Sequence, residues 1–266
     1  MVEKSNGTAD DFGTNLRLSY CPYKSGAPCK PADTRRARRL SSSKVFSVKL
    51  SNLRGRLDAS YHAPHVQRII DHLKAHAASV TTVADERISR AVVLPGRFKR
   101  VYVDEGHGTI FIGGKQIGEL DPSNKKYLSN VHHADRIAEE LELRENMTLI
   151  TCSGTIGKVA LVPKHWDGWA ASQHIIRIIP ASDDVAGYLS VFLSTDYGRE
   201  LIRRNTYGAV VDEIDDKQVR EVPVPLLKDE AAQIRINALA LAANAKRFEA
   251  YTLEREALKI LEEAVL

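Results

Sequence analysis

The strongest constraint on the fold of this chain lies at its C-terminus, where residues 229–266 contain neither proline nor glycine. Residues 222–225, Val-Pro-Val-Pro, come shortly before and cannot be helical, because each proline keeps the preceding residue out of the helical region. A continuous helix over this stretch would extend for roughly 57 Å at about 1.5 Å per residue. Such a rod is too long to cap a domain, so we predict a domain boundary at residue 227 and a separate helix over 228–266.

Apolar residues recur at intervals of seven along this stretch, which is the repeat of a coiled coil. Polar residues such as Asn237 interrupt the repeat, and single polar residues at such positions can fix register and partner number. A lone exposed helix is the less favourable alternative, because isolated helices gain most of their stability from packing an apolar face. We therefore predict a coiled-coil helix for dimerisation or partner docking. The residues assigned to its contact face are Ile234, Leu241, Asn244, Phe248, Tyr251, Leu258 and Val265.

The centre of the chain carries two short apolar runs rich in β-branched residues, 147–151 and 159–162, which are joined by a Ser-Gly-Thr-Ile-Gly-Lys turn. Two glycines three apart between such runs are typical of a tight connection between paired strands. A phosphate-binding P-loop is excluded, because Cys152 occupies the position of its first glycine and Val159 follows Lys158. The turn therefore presents small polar groups and one lysine at a loop tip. An ordinary surface hairpin is the simpler alternative.

A third apolar run, residues 175–179, predicts a strand buried on both faces whose single arginine needs a partner. Alternating apolar residues predict a strand over 45–50, and helical spacing predicts helices over 64–78 and 187–204. We predict an α+β fold, with a mixed or antiparallel β-sheet recognition domain and flanking helices over 45–227. The long C-terminal coiled-coil helix follows this domain.

The net charge of +4 is unevenly distributed along the chain. Residues 1–50 hold ten basic and four acidic residues, residues 51–130 hold twelve and eight, and residues 131–227 hold ten and fifteen. Residues 1–44 offer few apolar side chains for packing and include a dense basic cluster at 34–39, which predicts a flexible N-terminal extension. This extension could grip DNA phosphates without sequence preference, or it could be a simple leader.

Three cysteines, Cys21, Cys29 and Cys152, fit a reducing compartment in which disulfides are rare. Cys21 and Cys29 do not have the close spacing of zinc ligands. No apolar run is long enough to span a membrane, and the N-terminal residues lack the apolar segment of a secretory signal. These observations predict a soluble cytoplasmic protein without metal or cofactor.

The loops between the predicted strands carry cations beside side chains that form hydrogen bonds. Lysine and arginine neutralise DNA phosphates, whereas Arg, Lys, Gln, Asn and Ser or Thr also reach base edges in the major groove. Lys115 and Gln116, which follow two glycines, supply both kinds of group at one turn. Ordinary solvated loop charge is the alternative for any single residue. The predicted DNA-binding residues are Lys99, Arg100, Lys115, Gln116, Lys125, Lys126, Ser153, Thr155, Lys158, His174, Arg203, Arg204, Asn205 and Tyr207.

Several short segments follow one another in an order that is more specific than any one of them. They are Arg-Leu-Asp-Ala-Ser-Tyr at 56–61, Leu-Ile-Thr-Cys-Ser-Gly-Thr-Ile-Gly-Lys at 149–158, Gln-His-Ile-Ile-Arg at 173–177, Gly-Tyr-Leu at 187–189, Gly-Ala-Val at 208–210 and Val-Pro-Val-Pro at 222–225.

This ordered series resembles the target recognition domain of the specificity (S) subunits of type I restriction-modification systems, over about residues 45–266. The resemblance implies a protein that binds double-stranded DNA and directs a DNA methyltransferase subunit and a restriction subunit to a target site, without chemistry of its own. A full-length subunit of that family carries two recognition domains and two helices that pair. This sequence shows one of each, so the resemblance implies a half-subunit that pairs with a second copy or with another half-subunit. Two identical copies related by a two-fold axis predict a palindromic, interrupted target.

Two alternatives come from other functional classes. Asp-Pro-Ser-Asn at 121–124 only partly matches the catalytic tetrapeptide of amino-methyltransferases, because it lacks the second proline and the aromatic ring that holds a flipped base. Asp215-Asp216-Lys217 loosely matches a nuclease Asp-x-Lys pair, without an upstream acidic metal ligand. We therefore predict no enzymatic activity. The recognition part of a stand-alone methyltransferase or nuclease, and an adaptor that does not bind DNA, are the other interpretations.

Overall fold

The chain divides into two compact units, Met1–His72 and Leu73–Leu266. The predicted basic cluster at 34–39 and the Gly-Ala-Val segment at 208–210 lie outside the described residues. The residues that this computed structural model describes are 15–20, 44–53, 55–207 and 212–265.

Short strands and helices alternate along the described chain. The strands are β1 (Asn15–Tyr20), β2 (Lys44–Lys49), β3 (Ser79–Thr82), β4 (Ser89–Val93), β5 (Tyr102–Val103), β6 (Gly108–Ile112), β7 (Lys126–Ser129), β8 (Thr148–Thr151), β9 (Val159–Leu161), β10 (Ala170–Ala171), β11 (Ile175–Pro180) and β12 (Pro223–Leu226). The helices are α1 (Pro64–His76), α2 (Asn130–Arg136), α3 (Asp183–Ser194), α4 (Asp196–Arg203), α5 (Asp216–Arg220) and α6 (Glu230–Val265), with 3-10 turns at Leu50–Asn52 and Lys164–Trp166 and a π-helical turn at Ile137–Leu141.

In the first unit, β1 and β2 form an antiparallel pair in which Asn15 lies opposite Lys49. The strand β1 lies within the segment that the composition predicts to be flexible. Its sequence, Asn-Leu-Arg-Leu-Ser-Tyr, alternates polar and apolar residues with the period of a strand. The average composition of residues 1–44 conceals this local pattern.

The central sheet is antiparallel throughout and has the order β4-β11-β8-β9. All four residues of β8 and the first four of β11 are buried, as expected for runs rich in β-branched residues. The three strands predicted at the centre of the chain are confirmed, and the predicted turn joins β8 to β9.

A second sheet has the order β10-β6-β7-β5, in which β10 is parallel to β6 and the other pairs are antiparallel. Ile112 of β6 packs with Leu149 of β8 and Ile175 of β11 around the buried Trp166, so one core joins the two larger sheets. In a separate antiparallel ladder, β12 pairs with β3, and its prolines are tolerated because the strand lies at an edge. The predicted α+β class with a mixed sheet is confirmed.

The helix predicted over 187–204 is two helices, α3 and α4, which meet at Thr195. The Oγ1 of Thr195 accepts a hydrogen bond from the N–H of Gly198 at 3.1 Å. A threonine in this position caps the start of a helix, which explains why a new helix begins here.

The predicted C-terminal helix is present as α6, and asparagine side chains attach its first half to the rest of the second unit. Asn237 donates from Nδ2 to the carbonyl of Asp183 at 2.8 Å and accepts at Oδ1 from the N–H of Tyr188 at 3.0 Å. One heptad later, Asn244 donates to the carbonyl of Val162 at 2.9 Å. Both side chains are buried, so these polar contacts fix the orientation of α6 against α3.

Aromatic stacking continues the same attachment. The ring of Tyr251 stacks on the ring of His165 with centroids 4.1 Å apart, and the ring of Phe248 lies 6.2 Å from it. Asn244, Phe248 and Tyr251, which the heptad pattern assigns to a partner helix, therefore contact the chain's own domain. A seven-residue spacing defines one face of a helix but does not show what covers that face. Beyond Tyr251, every described residue of α6 is exposed.

Replacing Gly187 with alanine tests the close approach of α3 to α6. A side-chain carbon at this position would lie 2.6 Å from the carbonyl oxygen of Asn237 and 2.8 Å from Cβ of Ala240, so the helices must move apart. We expect Gly187→Ala to lower the free energy of unfolding by about 1–3 kcal/mol, as overpacking does. Urea denaturation measures this loss. The matched control is Gly118→Ala, because no atom lies within 4 Å of the added carbon there; equal stability of the two variants would contradict the prediction.

Candidate nucleic-acid interface

The turn between β8 and β9 is closed by the side chain of Thr151. Its Oγ1 donates to the carbonyl of Thr155 at 2.5 Å and accepts from the N–H of Lys158 at 3.1 Å. Gly154 and Gly157 have φ angles of 73° and 80°, a region that favours glycine. The turn is thus held from within, and the side chains of Thr155 and Lys158 are exposed.

The segment that follows α4 lies along this hairpin. Ser153 and Glu213 form an isolated antiparallel bridge. A side-chain carbon placed on Gly157 would lie 4.0 Å from Cγ of Arg203. The exposed Arg203 at the end of α4 is therefore a neighbour of the hairpin tip.

A turn from the second sheet approaches the base of the hairpin turn. A side-chain carbon placed on Gly114 would lie 3.2 Å from Cγ2 of Thr151. The adjacent Lys115 is exposed. The sheets thus bring Lys115 and the hairpin lysine, which are far apart in sequence, to one region of the surface.

The loop between β10 and β11 carries Gln173 and His174, and it lies beside the loop that carries Arg97 and Arg100. Arg100 donates from Nη2 to Oε1 of Gln173 at 2.7 Å, and Arg97 forms an ion pair with Glu213 at 3.4 Å. Burial lowers the pKa of His174, and the nearby Arg100 and Arg97 lower that pKa further. His174 is therefore neutral at pH 7.

These segments form one exposed region, named here the cationic surface. Glu213 connects its parts, because its backbone pairs with both Ser153 and Tyr207 while its side chain contacts Arg97. The cations converge from four segments that are distant in sequence. The residues of the cationic surface are Arg97, Arg100, Lys115, Ser153, Thr155, Lys158, Gln173, His174, Arg203, Arg204 and Tyr207.

A buried guanidinium supports the loop at 172–174. Arg177 donates from Nη1 to the carbonyl of Ile175 at 2.8 Å and from Nη2 to the carbonyls of Ala171 and Leu141. Burial lowers the pKa of Arg177 to about 9, so the side chain is still charged at pH 7. The partner that the sequence requires for this charge is a set of backbone carbonyls, two of which flank the loop.

Two predicted DNA-binding residues have their side-chain amides engaged inside the domain. Gln116 closes its own turn, because Oε1 accepts from the N–H of Gly113 at 2.9 Å and Nε2 donates to the carbonyl of Asn124 at 3.2 Å. Asn205 is buried, and its Nδ2 lies 3.4 Å from two carbonyl oxygens. Both amides satisfy local backbone groups, so neither belongs to the cationic surface.

Two further predicted lysines lie elsewhere in the second unit. Lys125 forms an ion pair with Asp121 at 2.5 Å and lies over the ring of Trp169, 5.6 Å from its centroid. Lys126 is exposed on β7, with its ammonium 5.2 Å from the ring centroid of Tyr102. Neither lysine is joined to the cationic surface by a described contact.

Neither Gln173 nor Glu213 is among the DNA-binding residues predicted from the sequence. Gln173 directly precedes the selected His174 at the start of a buried strand, and this position could have identified it as a candidate DNA-binding residue. Its pairing with Arg100 spans 73 residues and was not visible in the sequence. Lys99, which was selected, is exposed in the same loop as Arg100.

The described ranges also bear on metal sites, membrane-spanning helices and reactive thiols. Among those residues, no group of three or more His, Cys, Asp or Glu side chains could hold a metal ion. No helix in the same ranges is long and apolar enough to cross a membrane. Burial raises the pKa of the Cys152 thiol to about 12, so this thiol is not a nucleophile at neutral pH.

No protein-family model matches the sequence, and no curated protein matches it. Several solved structures are similar to the chain. The S subunit of a type I restriction-modification system from M. genitalium is 12% identical with a TM-score of 0.46, and the match covers 70% of this chain and 44% of that one. The HsdS subunit from Thermoanaerobacter tengcongensis is 17% identical with a TM-score of 0.43, and the match covers 76% of this chain and 48% of that one.

A third similar structure concerns complex assembly and conformational transition of the type I R-M system. It is 17% identical with a TM-score of 0.46, and the match covers 90% of this chain and 63% of that one. This chain therefore spans between 44% and 63% of the length of the three structures.

Proposed function

We propose that this chain carries one target recognition domain of a specificity subunit of a type I restriction-modification system, which reads duplex DNA in the cytoplasm and directs a methyltransferase subunit and a restriction subunit to the site. The observation that carries the proposal is the cationic surface. Lys115, Lys158, Arg203 and Arg97 come from separate segments of the second unit to one exposed region. Charged side chains that serve only solubility do not need to lie together on one surface.

The chemistry of the cationic surface suits a duplex. Exposed lysines and arginines neutralise phosphates, and this neutralisation supplies the sequence-independent part of the affinity. Thr155, Gln173 and His174 lie among these cations and offer hydrogen-bonding groups that can discriminate base edges. Loops carry Thr155, Gln173 and His174, while buried strands hold these loops in place.

We propose no reaction for the chain itself. Asp121, the acidic residue of the partial methyltransferase match, is engaged with Lys125. Asp215 caps α5 by accepting from the N–H of Gln218 at 2.9 Å, and Asp216 pairs with Arg220 at 3.3 Å. These carboxylates have structural roles, and so the stand-alone enzyme is the weaker alternative.

The far half of α6 supports the pairing part of the proposal. Residues 252–265 are all exposed, and they include Leu258 at 50% and Val265 at 72% exposure. An isolated helix of this length is marginal in water, and exposed clusters of apolar residues mark interaction sites. We propose that this segment pairs with a second copy of the chain, or with another half-subunit, and sets the distance between two cationic surfaces.

Selection from a random duplex pool tests the proposed function. The full chain and a type I methyltransferase subunit are incubated with the pool, and the bound DNA is sequenced. We expect a bipartite motif with an unread spacer, and a palindromic one if two identical copies pair, because a two-fold axis relates the half-sites. Enrichment of no sequence would contradict sequence-specific binding. Conversion of DNA by the chain alone, with magnesium or S-adenosylmethionine, would contradict a purely directing role.

The hairpin lysine should act on DNA phosphates. We expect Lys158→Ala to weaken binding to target and non-target duplexes alike and to reduce the slope of log K against log salt by about 0.9, the value for one phosphate contact. Fluorescence anisotropy at several salt concentrations measures the slope. The control is Lys74→Ala, an exposed lysine of α1 outside the cationic surface, which should leave the slope unchanged. A Lys158→Ala slope equal to that of the wild type would rule out this contact.

The apolar residues at the end of α6 should hold two chains together. We expect the double variant Leu258→Glu/Val265→Glu to sediment as a monomer at concentrations where the wild type is a dimer, because two buried carboxylates would lose their hydration. Sedimentation velocity distinguishes the two states. Thr252→Glu, at another exposed position of the same segment, is the control and should remain a dimer. A monomeric wild-type chain would refute self-pairing and favour a different half-subunit as the partner.

A further inference from the structure

The segment between β4 and β5 carries Arg97, Lys99 and Arg100 close together. Residues 96–101 are named here the arginine loop. The structure describes this loop throughout, and it contains no strand or helix. Other parts of the second unit must therefore hold its backbone in the conformation that places two of these arginines on the cationic surface.

Helix α2 holds the first half of the arginine loop. Arg136 donates from Nη2 to the carbonyl of Gly96 at 2.9 Å, and its guanidinium lies over the ring of Phe98, 4.7 Å from the centroid. On the same helix, the ring of His133 meets the ring of Phe98 edge to face, with centroids 5.3 Å apart. The loop is thus packed on α2 at Phe98.

One hydrogen bond from α2 holds the other end of the loop. The N–H of Val101 donates to Nε2 of His133 at 3.1 Å. A backbone N–H is always a donor, whereas an imidazole nitrogen accepts only when it carries no proton. The bond therefore requires a neutral His133 with its proton on Nδ1. Arg100 directly precedes Val101, so this bond fixes the backbone next to a cation of the cationic surface.

The surroundings of His133 keep the ring neutral at pH 7. Burial lowers its pKa, and the neighbouring His132 and Arg136 on α2 lower that pKa further. The nearby carboxylate of Glu140 is paired with Arg136 at 3.0 Å. The loop faces the ring with Phe98 and a backbone amide, and its own charged residues are all basic. The hydrogen bond is therefore present at and above the ordinary histidine pKa of about 6.5 and is lost as the pH falls below it.

We propose that His133 is a positioning residue for the arginine loop, and that a proton on its Nε2 frees the loop and weakens DNA binding. This proposal rests on the proposed function and adds a response to pH at the same surface. A protonated ring would present a donor to the N–H of Val101, while Arg136 would still hold Gly96. Only the end of the loop beside Arg100 is then freed, and ordering that end again on DNA costs affinity.

The test compares the full-length wild type with His133→Gln on a duplex enriched in the selection above. Fluorescence anisotropy at fixed salt measures the affinity between about pH 7.5 and about pH 5, on both sides of the ordinary histidine pKa. The amide oxygen of glutamine accepts from the N–H of Val101 and does not titrate in this range. We expect equal affinities at the neutral end. At the acidic end the wild type should bind about fivefold more weakly than His133→Gln, the effect of one hydrogen bond.

The ratio of the two affinities isolates His133, because His174 and the other histidines titrate in both proteins. His132→Gln is the matched control. It replaces the exposed neighbour, whose Nδ1 contacts Oγ of Ser129 at 3.0 Å, and it should keep the pH profile of the wild type. Nitrogen-15 NMR of the wild type should show the proton of His133 on Nδ1 at the neutral end.

Three results would overturn the proposal while DNA binding itself stood. They are equal affinities of the wild type and His133→Gln at the acidic end, weaker binding by His133→Gln at the neutral end, and a proton on Nε2 of His133 at the neutral end. If the wild type enriched no duplex in the selection, the proposed function would fail instead. The two failures are thus distinguishable.

Discussion

The structure of the second unit depends on one buried guanidinium. Arg177 lies in β11 of the central sheet, and it binds carbonyls of β10 in the second sheet and of the π-helical turn. Burying an arginine costs several kcal/mol unless its donors are satisfied, and backbone carbonyls compensate the two Nη groups here, while Nε has no partner among the described residues. These bonds connect the two larger sheets alongside the apolar core that they share. The loop at 172–174 has the same anchor, so a core interaction and a surface loop share one residue.

The long helix is constrained by a different kind of contact. Asn237 and Asn244 are buried, and each binds backbone groups at a defined place. Apolar packing alone permits a helix to slide or rotate, whereas directed hydrogen bonds do not. The stacking of Tyr251 on His165 extends the attachment to the last residue that meets the domain. Residues 252–265 of α6 then continue along the axis that the attached first part of the helix defines.

The sequence was sufficient to predict an element where a local pattern of residues determined that element. The β-branched runs at 147–151 and 175–179, the glycine turn between strands and the stretch free of proline and glycine all led to the elements observed. The sequence was insufficient to predict a contact where that contact depended on residues far away along the chain. The heptad repeat assigned Asn244 and Phe248 to a partner helix, and only the contacts with Val162 and His165 showed that these residues are covered from within the chain.

The same limit applies to the cationic surface. Lys158 and Arg203 could be selected because loops with basic residues are recognisable in a sequence. Gln116 has the same residue type and loop context as a base-reading residue, yet its amide closes a turn, and only coordinates separate the two cases. The contact between Gln173 and Arg100 could not be predicted, because 73 residues separate the two in the sequence.

The closure of the hairpin turn by Thr151 has an evolutionary consequence. The backbone of the turn is maintained by a threonine at its base and by two glycines, so the residues at its tip contribute little to folding. Thr155 and Lys158 can therefore be exchanged by single mutations without loss of the scaffold. New side chains could therefore be introduced at the tip at small thermodynamic risk, so the scaffold places little constraint on what the tip presents to a ligand.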